Sequence, residues 1–397
     1  MNNIYKYIIL GNGNAALHAA EGIREMDKEN RILMISDEDV PAYSRPMLTK
    51  TPLRSYSLER TIIHDAEWYE AMGIDLMLDT KVTGIDNSSR IVETSKGGYF
   101  YTKCIYALGA GNFVPPIKGA DMPEVRTIRT YKDIYDIKRF CVEGQKAVII
   151  GGGVIGLEAG FELARYGIDV TVLEVLPMLM PRLLDEESAR TLEKSIDSFK
   201  IYTGVSVEEI GGNGKVEYVK LADGRKFEAN FVVVSAGVRA NTALAQAAGI
   251  KCGRAVMINE KCETWSKDIY ACGDCAEFEN VNYALWSQAK AQGKVAGINA
   301  AGGKAIVEAF DNSMIINSPE ISMFACGDVG KNPELTYTTE IDDNSQPAIF
   351  GVNEKYLKSY EKRFYVDGKL VGAVIVGNLA RMQELKEKII GIKPAEV

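Results

Sequence analysis

Two glycine-rich turns constrain what this chain can fold into more than any other feature of its sequence. The first reads GNGNAA and begins at Gly11, and the second reads GGGVIG and begins at Gly151. Each turn stands between an apolar, strand-like run and a helix-like pattern. One such turn arises easily by chance, but two in a chain of 397 residues indicate that one protein holds two dinucleotides. This arrangement suits the transfer of a hydride from one cofactor to the other.

The pattern around the first turn predicts a βαβ motif at the start of the sequence. Residues 4–10 (IYKYIIL) have the composition of a buried strand, residues 15–26 have helical spacing, and residues 31–36 (RILMIS) predict the next strand. The glycines would let the backbone approach a pyrophosphate, and the helix N-terminus would offer its free N–H groups to that anion. The expected contacts of this first nucleotide are Gly11, Gly13, Asn14 and Ala15.

An acidic residue is expected at the end of the second strand, where a carboxylate accepts hydrogen bonds from the ribose hydroxyls. Ser36 ends this strand, and Asp37 and Glu38 follow it. Asp37 is the preferred ribose ligand and Glu38 is the alternative. A third interpretation is that both are charges of a solvated loop.

The second turn lies in a longer and more complete pattern of the same kind, between residues 146 and 174. An apolar strand leads into the glycines, a helix follows, and a second strand ends on Glu174. A carboxylate at that place binds the 2′- and 3′-hydroxyls of a ribose and repels a 2′-phosphate. Because Val175 and Leu176 follow rather than an arginine, the sequence favours NADH over NADPH. The expected contacts are Gly151, Gly153, Val154, Ile155, Gly156 and Glu174.

Composition is that of an ordinary globular protein of two or three domains, with 46% hydrophobic and 25% charged residues. The formal net charge of −8 and the scattered basic residues argue against nucleic acid as the main partner. The sequence has no apolar run of about 18 residues or more, which a membrane span would need. Its N-terminus lacks the features of a secretory signal. We therefore expect a cytoplasmic protein.

Three further segments resemble the motifs of FAD-dependent pyridine nucleotide-disulfide oxidoreductases. PAYSRPMLTK at residues 41–50 is similar to the flavin-contacting loop, and ALGA at residues 107–110 is similar to the second FAD motif, with Leu108 in place of threonine. DIYACGDCAEF at residues 268–278 is similar to the third motif. The resemblance extends from residue 4 to about residue 300, and the rubredoxin reductase and NADH oxidase-like branch is the most similar. It implies that the first nucleotide is FAD and the second is NAD(H).

The resemblance also implies roles for individual residues. Arg45 would pair with the pyrophosphate or polarise the flavin, Lys50 would reach the isoalloxazine, and Glu158 would lie near the flavin and nicotinamide rings, paired with Lys50. Plainer interpretations are a solvated loop for Arg45 and Lys50, and a helix N-terminal acid for Glu158. Trp286 either stands near the isoalloxazine or packs in the core. The remaining expected cofactor contacts are Val82, Ala107, Gly109, Arg129, Gly237, Gly273 and Asp274.

The distribution of cysteine and histidine narrows the chemistry. The seven cysteines are an odd number without metal-ligand spacing, so we expect neither a disulfide framework nor a bound metal. Residues 37–60 contain no cysteine and no histidine follows His64, which disfavours the disulfide reductases, peroxidases and water-forming oxidases of the resembling family. Cys272 and Cys275 form a CxxC, but its central Gly-Asp already has a flavin role, and we interpret the pair as core thiols. Electrons should therefore leave directly from the flavin.

The predicted fold is α/β, with two Rossmann-like dinucleotide-binding domains and a small α+β domain at the C-terminal end. The expected FAD domain comprises residues 1–114 and 238–305, and the NAD domain is inserted between them as residues 115–237. Residues 306–397 form the expected third domain. SAGVRAN, at residues 235–241, resembles the family motif that returns the chain to the FAD domain.

The predicted function is an FAD-containing NADH:acceptor oxidoreductase. A hydride would pass from NADH to FAD, and electrons would then pass to a small electron-transfer protein similar to rubredoxin. One alternative is an NADH oxidase that forms hydrogen peroxide from oxygen. Another is a flavin-bound NADH sensor that recruits a partner when reduced. The sequence does not identify the acceptor, and it allows a monomer or a homodimer.

Overall fold

The computed structural model describes residues 3–308, 311–345 and 358–391. No helix among these residues is long and apolar enough to cross a membrane. Two short 3₁₀ helices lie at Leu53–Ser55 and Gly273–Cys275. The α-helices are α1 (Asn14–Met26), α2 (Met47–Lys50), α3 (Ala66–Ala71), α4 (Tyr131–Phe140), α5 (Val154–Ala164), α6 (Glu186–Lys194), α7 (Ala243–Ala247), α8 (Trp286–Ala300) and α9 (Met382–Ile390).

The strands are short and are spread over the whole chain. Those before residue 130 are β1 (Ile4–Leu10), β2 (Ile32–Ile35), β3 (Ile74–Met77), β4 (Val82–Asp86), β5 (Ile91–Thr94), β6 (Gly97–Tyr106), β7 (Ala110–Asn112) and β8 (Val125–Thr127). The next are β9 (Lys146–Ile150), β10 (Asp169–Leu173), β11 (Lys200–Tyr202), β12 (Val207–Gly211), β13 (Tyr218–Leu221), β14 (Lys226–Glu228), β15 (Phe231–Val234) and β16 (Val238–Ala240). The last are β17 (Val256–Ile258), β18 (Ile269–Ala271), β19 (Ala276–Phe278), β20 (Met314–Asn317), β21 (Ser322–Gly327), β22 (Thr338–Ser345), β23 (Lys358–Val366) and β24 (Lys369–Gly377).

The first of two compact units consists of Met1–Pro46, Ser57–Gly111 and Val238–Asn312. Its main sheet has the strand order β3-β2-β1-β6-β5-β4, and β18 also pairs with β6. The strands β3, β2, β1, β6 and β18 are parallel, whereas β4 and β5 continue β6 as an antiparallel meander. The last four residues of β1 are fully buried, as expected of a central parallel strand covered on both faces. The predicted N-terminal βαβ motif is therefore confirmed as β1, α1 and β2.

Glycines bring α1 and α8 of the first unit into close contact. A Cβ on Gly22 of α1 would lie 2.3 Å from the carbonyl oxygen of Lys294, and a Cβ on Gly297 of α8 would lie 2.0 Å from that of Ala19. Any larger residue would push the two helix backbones apart. This contact holds the later turns of α1 and α8 together.

The second compact unit consists of Met47–Tyr56, Asn112–Gly237 and Ser313–Val397. Its parallel sheet has the order β11-β10-β9-β15-β8 and contains the second βαβ motif as β9, α5 and β10. A separate antiparallel sheet has the order β12-β13-β14. The α/β class with two Rossmann-like halves is thus confirmed.

The described residues after 313 add an antiparallel sheet with the order β20-β21-β24-β23-β22. Helix α9 covers it, and Leu385 of this helix packs against Phe324 and Ile375. The hairpin expected at Asp367 and Gly368 is confirmed, and both residues have positive φ angles of +49° and +75°. The predicted boundaries of the three domains stay a prediction.

Candidate functional site

The first glycine-rich turn connects β1 to α1. Gly11 has φ +112°, and a Cβ on it would lie 2.3 Å from the carbonyl oxygen of Ala107, so glycine is required there. A Cβ on Gly13 would meet no atom within 4 Å, and no side chain caps the first N–H groups of α1. The Nδ2 of Asn12 is buried without a hydrogen-bond partner among the described residues. Open space, uncapped N–H groups and an unpaired donor fit a bound phosphate.

Predicted contacts that are far apart in sequence come together around this turn. The Nδ2 of Asn14 donates a hydrogen bond of 2.7 Å to the carbonyl oxygen of Trp286, at the start of α8. A Cβ on Gly273, which has φ +78°, would lie 2.8 Å from the Cβ of Ala15. Asp274 directly follows Gly273, and Gly109 lies two residues after Ala107, whose carbonyl oxygen is close to Gly11. Val82 is buried in β4. The first unit therefore gathers most of the residues expected to contact FAD.

The two acidic residues that follow β2 have different surroundings. Asp37 is exposed, whereas Glu38 is partly buried and its Oε2 accepts a hydrogen bond of 2.7 Å from the Tyr43 hydroxyl. The other oxygen of Glu38 forms an ion pair with Arg45, which also donates to the Tyr43 hydroxyl at 3.0 Å. Glu38 and Arg45, both expected site residues, therefore form one cluster. Sequence reasoning missed Tyr43, although it lies two residues before Arg45 in the resembling loop motif.

The second glycine-rich turn repeats the geometry of the first. Gly151 has φ +119°, and a Cβ on it would lie 2.2 Å from the carbonyl oxygen of Ser235. A Cβ on Gly156 would lie 2.1 Å from the carbonyl oxygen of Gly151. The absence of a side chain at Gly156 therefore lets the first turn of α5 pack closely against the glycine-rich turn. A Cβ on Gly153 would again meet nothing within 4 Å. The second unit therefore also offers an open, uncapped helix N-terminus to a phosphate.

Glu174 lies at the end of β10, and the second turn holds its carboxylate in place. Its Oε2 accepts a hydrogen bond of 2.6 Å from the backbone N–H of Gly152, and its Oε1 accepts one of 2.8 Å from that of Leu176. The side chains that follow are apolar and exposed, 64% for Val175 and 47% for Leu176. The expected ribose ligand thus stands beside the open turn with apolar neighbours.

Glu158 is buried in α5 and lies beside two residues of the segment that resembles the flavin-contacting loop. The Thr49 hydroxyl donates a hydrogen bond to its Oε2, and the Lys50 Nζ lies 3.9 Å from its Oε1. Burial raises the pKa of Glu158, and the Thr49 hydrogen bond and the Lys50 charge oppose this rise. The structure therefore brings together Lys50 and Glu158, as the resemblance implied. Thr49 was missed, although it precedes Lys50 directly.

The other expected contacts in the second unit lie on its loops and at the start of α5. Arg129 precedes α4, and its backbone N–H donates a hydrogen bond of 2.8 Å to the Asp133 carboxylate. Gly237 has φ +98° and no atom within 4 Å of its Cβ position. Val154 and Ile155 begin α5, and Ile155 is 37% exposed. Contact of these residues with a cofactor stays a prediction.

The Cys272–Cys275 pair lies in the core of the first unit, which confirms its interpretation as core thiols. Both residues are fully buried and neither forms a disulfide. The Cys275 thiol donates to the carbonyl oxygens of Cys272 and Tyr106, and burial raises its pKa to about 12. A thiol that stays protonated is a poor nucleophile. Within the part of the chain that the structure describes, no cluster of three or more His, Cys, Asp or Glu side chains could hold a metal ion.

Comparison with known proteins decides the family. The sequence profile described as pyridine nucleotide-disulphide oxidoreductase matches residues 5–293. The chain belongs to the pyridine nucleotide-disulphide oxidoreductase family. Members of this family are FAD-dependent NAD(P)H oxidoreductases that use FAD and NAD(H). The two turns described above fit those two dinucleotides.

Relatives within this family match over most of the chain. An NADH oxidase of Methanocaldococcus jannaschii is 32% identical over 392 residues, which cover 93% of this chain and 87% of the relative. An NADH-rubredoxin oxidoreductase of Clostridium acetobutylicum is 30% identical over 388 residues, with 97% and 94% covered. The solved NADH:rubredoxin oxidoreductase from the same organism superposes with a TM-score of 0.79 at 28% identity, over 99% of this chain and 97% of that one. These matches confirm the predicted resemblance and fold.

Some relatives are much longer than this chain. A nitrite reductase [NAD(P)H] of Bacillus subtilis is 30% identical over 378 residues, which cover 94% of this chain but 45% of the relative. The chain therefore spans about half the length of that protein.

Proposed function

We propose that this chain is an FAD-containing NADH:acceptor oxidoreductase. The observation that carries the proposal is the repetition of one backbone geometry in two βαβ motifs. In each, the first glycine passes close to a neighbouring carbonyl oxygen, and a glycine two positions on opens to free space, at Gly11 and Gly13 and again at Gly151 and Gly153. Two phosphate sites of this kind in one chain fit two dinucleotides. The relatives named NADH oxidase and NADH-rubredoxin oxidoreductase support the reaction.

In the first unit, the turn residues would hold the FAD pyrophosphate. Asn12 would supply its unpaired Nδ2 as a donor. Arg45, whose charge is partly neutralised by Glu38, would supply a positive charge to the pyrophosphate or the flavin. Either Asp37 or Glu38 would bind the ribose. Bound FAD would accept a hydride and release electrons one at a time.

In the second unit, Glu174 would select NADH. Its two oxygens each keep acceptor capacity beyond the backbone hydrogen bonds, so the ribose hydroxyls can still donate to them. A 2′-phosphate would meet this negative charge, and neither Val175 nor Leu176 could neutralise it. Glu158 and Lys50 would border the reacting rings, where alignment of the two cofactors supplies much of the rate.

We further propose that the electrons leave for a small electron-transfer protein similar to rubredoxin. The burial of Cys272 and Cys275 supports direct exit, because neither thiol is available to carry electrons to the surface. The NADH-rubredoxin oxidoreductase relative, matched over nearly its whole length, supports this class of acceptor. The NADH oxidase relative, at 32% identity, favours oxygen as the second candidate acceptor.

Anaerobic stopped-flow mixing tests the proposal. The purified protein, loaded with FAD, is reduced by NADH and then mixed with either rubredoxin or oxygenated buffer, and flavin absorbance is followed. Fast reoxidation by rubredoxin supports the reductase, and fast reoxidation by oxygen with peroxide release supports the oxidase. A reduced state that resists both contradicts the two acceptors and favours the NADH sensor. A protein that binds no FAD contradicts the whole proposal.

A further inference from the structure

The segment Met47–Tyr56, here called the α5 strap, belongs to the second unit and is attached to one face of α5. Two residues four apart along that face, and Tyr166 just beyond the end of the helix, each accept a hydrogen bond from the strap. Glu158 binds the Thr49 hydroxyl, the Glu162 Oε1 accepts from the backbone N–H of Leu53 at 2.5 Å, and the Tyr166 hydroxyl accepts from that of Arg54 at 3.3 Å. Positions four apart lie on one side of a helix, so Glu158 and Glu162 both face the strap, and Tyr166 adds a contact just after the last turn of α5.

The contact at Glu158 differs chemically from the other two. Glu162 and Tyr166 bind backbone N–H groups, which every residue except proline supplies. Glu158 instead binds a hydroxyl that only the side chain of Thr49 provides. The identity of this one strap residue therefore decides whether the carboxylate is held.

The two oxygens of Glu158 are not equivalent. The carboxyl side chain is 6% exposed, Oε2 is engaged by Thr49, and Oε1 is buried without a hydrogen-bond partner among the described residues. The Lys50 Nζ, 3.9 Å away, is too far for a hydrogen bond and is itself directed to the carbonyl oxygen of Ile315 at 3.5 Å. A buried acceptor without a partner is unfavourable, so Oε1 is the atom on which a ligand donor would be expected.

We propose that Thr49 is a positioning residue, which holds Oε2 of Glu158 so that Oε1 stays available to a donor of the bound nicotinamide or flavin. This inference rests on the proposed function, because it assumes that Glu158 borders the reacting rings. The Thr49 hydrogen bond also favours the carboxylate form of Glu158, which burial disfavours. Thr49 thus orients the carboxyl group and opposes the effect of burial on its charge.

Few charged groups near Glu158 could change its pKa in place of the Thr49 hydrogen bond. The Lys50 ammonium faces Glu158 from the strap, and Glu162, one turn further along α5, is directed to the Leu53 amide. Among the described residues, β20 contains no charged side chain, and its Ile315 carbonyl oxygen lies 3.5 Å from the Lys50 Nζ. Removing the Thr49 hydroxyl would therefore leave burial opposed by Lys50 alone, and the pKa of Glu158 should rise further.

The strap contains its own matched control. The hydroxyl of Thr51, two residues after Thr49, is buried without a hydrogen-bond partner among the described residues. Thr49→Val and Thr51→Val are the same near-isosteric change in one short segment, but only the first removes a hydrogen bond to Glu158. Thr49→Ser keeps the hydroxyl, and Glu158→Gln removes the charge that Thr49 acts on.

The test uses the FAD-loaded protein and two measurements. The first is the pH dependence of flavin reduction by NADH under anaerobic conditions. The second is the infrared band of the protonated carboxyl group, assigned by comparison with Glu158→Gln and titrated without NADH. We expect Thr49→Val to slow reduction about tenfold, with a smaller change in KM, and to raise the apparent pKa by about one unit in both measurements. Thr49→Ser and Thr51→Val should match the parent protein.

The possible results separate this inference from the function on which it rests. If Glu158→Gln slows reduction but Thr49→Val behaves like Thr51→Val in both measurements, Thr49 is merely structural and the inference is overturned alone. If Glu158→Gln itself leaves reduction by NADH unchanged, the placement of Glu158 at the rings is overturned together with the inference. Should Thr49→Val fail to fold, Thr49→Ala is judged by the same criteria.

Discussion

At the scale of single residues, the carboxylate of Glu174 supports the turn beside it, and under the proposed function the same group would select the cofactor. Its oxygens bind the backbone N–H groups of Gly152 and Leu176, which fixes the carboxylate without neutralising its charge. Each carboxylate oxygen can accept more than one hydrogen bond, so the same atoms remain able to bind ribose hydroxyls. The full negative charge is what would exclude a phosphate.

Replacing this carboxylate should have opposite effects on the two nicotinamide cofactors. Glu174→Ala should raise the KM for NADH about tenfold, because hydrogen bonds to a charged group are lost. The KM for NADPH should fall, because repulsion of the 2′-phosphate is removed. Steady-state kinetics with both cofactors measures this, and NADPH serves as the internal control. Equal changes for both cofactors would show a damaged turn rather than a selective residue.

The buried thiols allow a second prediction at this scale. Burial raises the pKa of the Cys275 thiol to about 12, so it is protonated at neutral pH. In the folded protein, Cys272 and Cys275 should resist alkylation. In the Cys275→Ala variant, the rate of flavin reduction by NADH should stay within about twofold of the parent rate. Mass spectrometry after alkylation measures thiol reactivity, with the unfolded protein as a control. Stopped-flow absorbance measures the rate of flavin reduction. Loss of NADH-dependent bleaching in a folded variant would reveal a thiol relay.

At the scale of helices and strands, an ion-pair cluster joins β23 to α6 inside the second unit. The Lys362 Nζ lies 2.7 Å from both the Asp185 Oδ2 and the Glu187 Oε2, and its side chain is only 9% exposed. Burial raises the pKa of Asp185, but the Lys362 ammonium and the hydrogen bonds from Ser188 outweigh it and hold this pKa below its ordinary value. The cluster should therefore stabilise the folded chain in its charged form.

Lys362→Met should lower the free energy of unfolding by about 2 kcal/mol at pH 7, since Asp185 loses the ammonium group that donates a hydrogen bond to it. A carboxyl with a depressed folded pKa contributes stability above its unfolded pKa and loses it as the pH falls through the folded value. The difference between parent and variant should therefore shrink below roughly pH 4. Urea unfolding at several pH values measures it. A difference that persists undiminished in acid would contradict the ion-pair account.

Lys388→Met supplies the control for this prediction. Lys388 is 58% exposed in α9 and pairs with Glu384 one turn away. Exposed pairs of this kind contribute little to stability, because water screens the two charges. Its replacement should leave stability nearly unchanged at every pH.

The elements show which parts of the molecule sequence patterns can predict. The strands β1 and β2, the helix α1 and their counterparts β9, α5 and β10 were predicted because each is defined by local periodicity and a glycine turn. The Thr49–Glu158 hydrogen bond was not, since its partners are 109 residues apart and neither carries a local pattern for the other. Likewise, the Glu38–Arg45 pair depends on how one loop folds back, which the motif alone does not specify.

At the scale of the whole molecule, the proposed function assigns FAD to the first compact unit and NAD(H) to the second. Removing one cofactor should therefore destabilise the unit that binds it more than the other unit. Stripping FAD should speed hydrogen exchange around residues 11–16, 107–110 and 273–276, because a ligand stabilises the structure it binds. Adding NAD⁺ should slow exchange around residues 151–156 and 174–176. Exchange mass spectrometry measures both. Protection by FAD confined to the second unit would contradict the assignment of the two turns.

The discontinuous first unit has a consequence for synthesis on the ribosome. Its chain leaves at Gly111 and returns at Val238, and β18 pairs with β6 only through Ile269 and the residues after it. At the usual pace of translation the nascent chain waits on the order of 10–30 s with that edge of β6 open. An open strand edge is a template for pairing with other chains, so chaperone cover during this interval should matter more for yield than the stability of the finished protein.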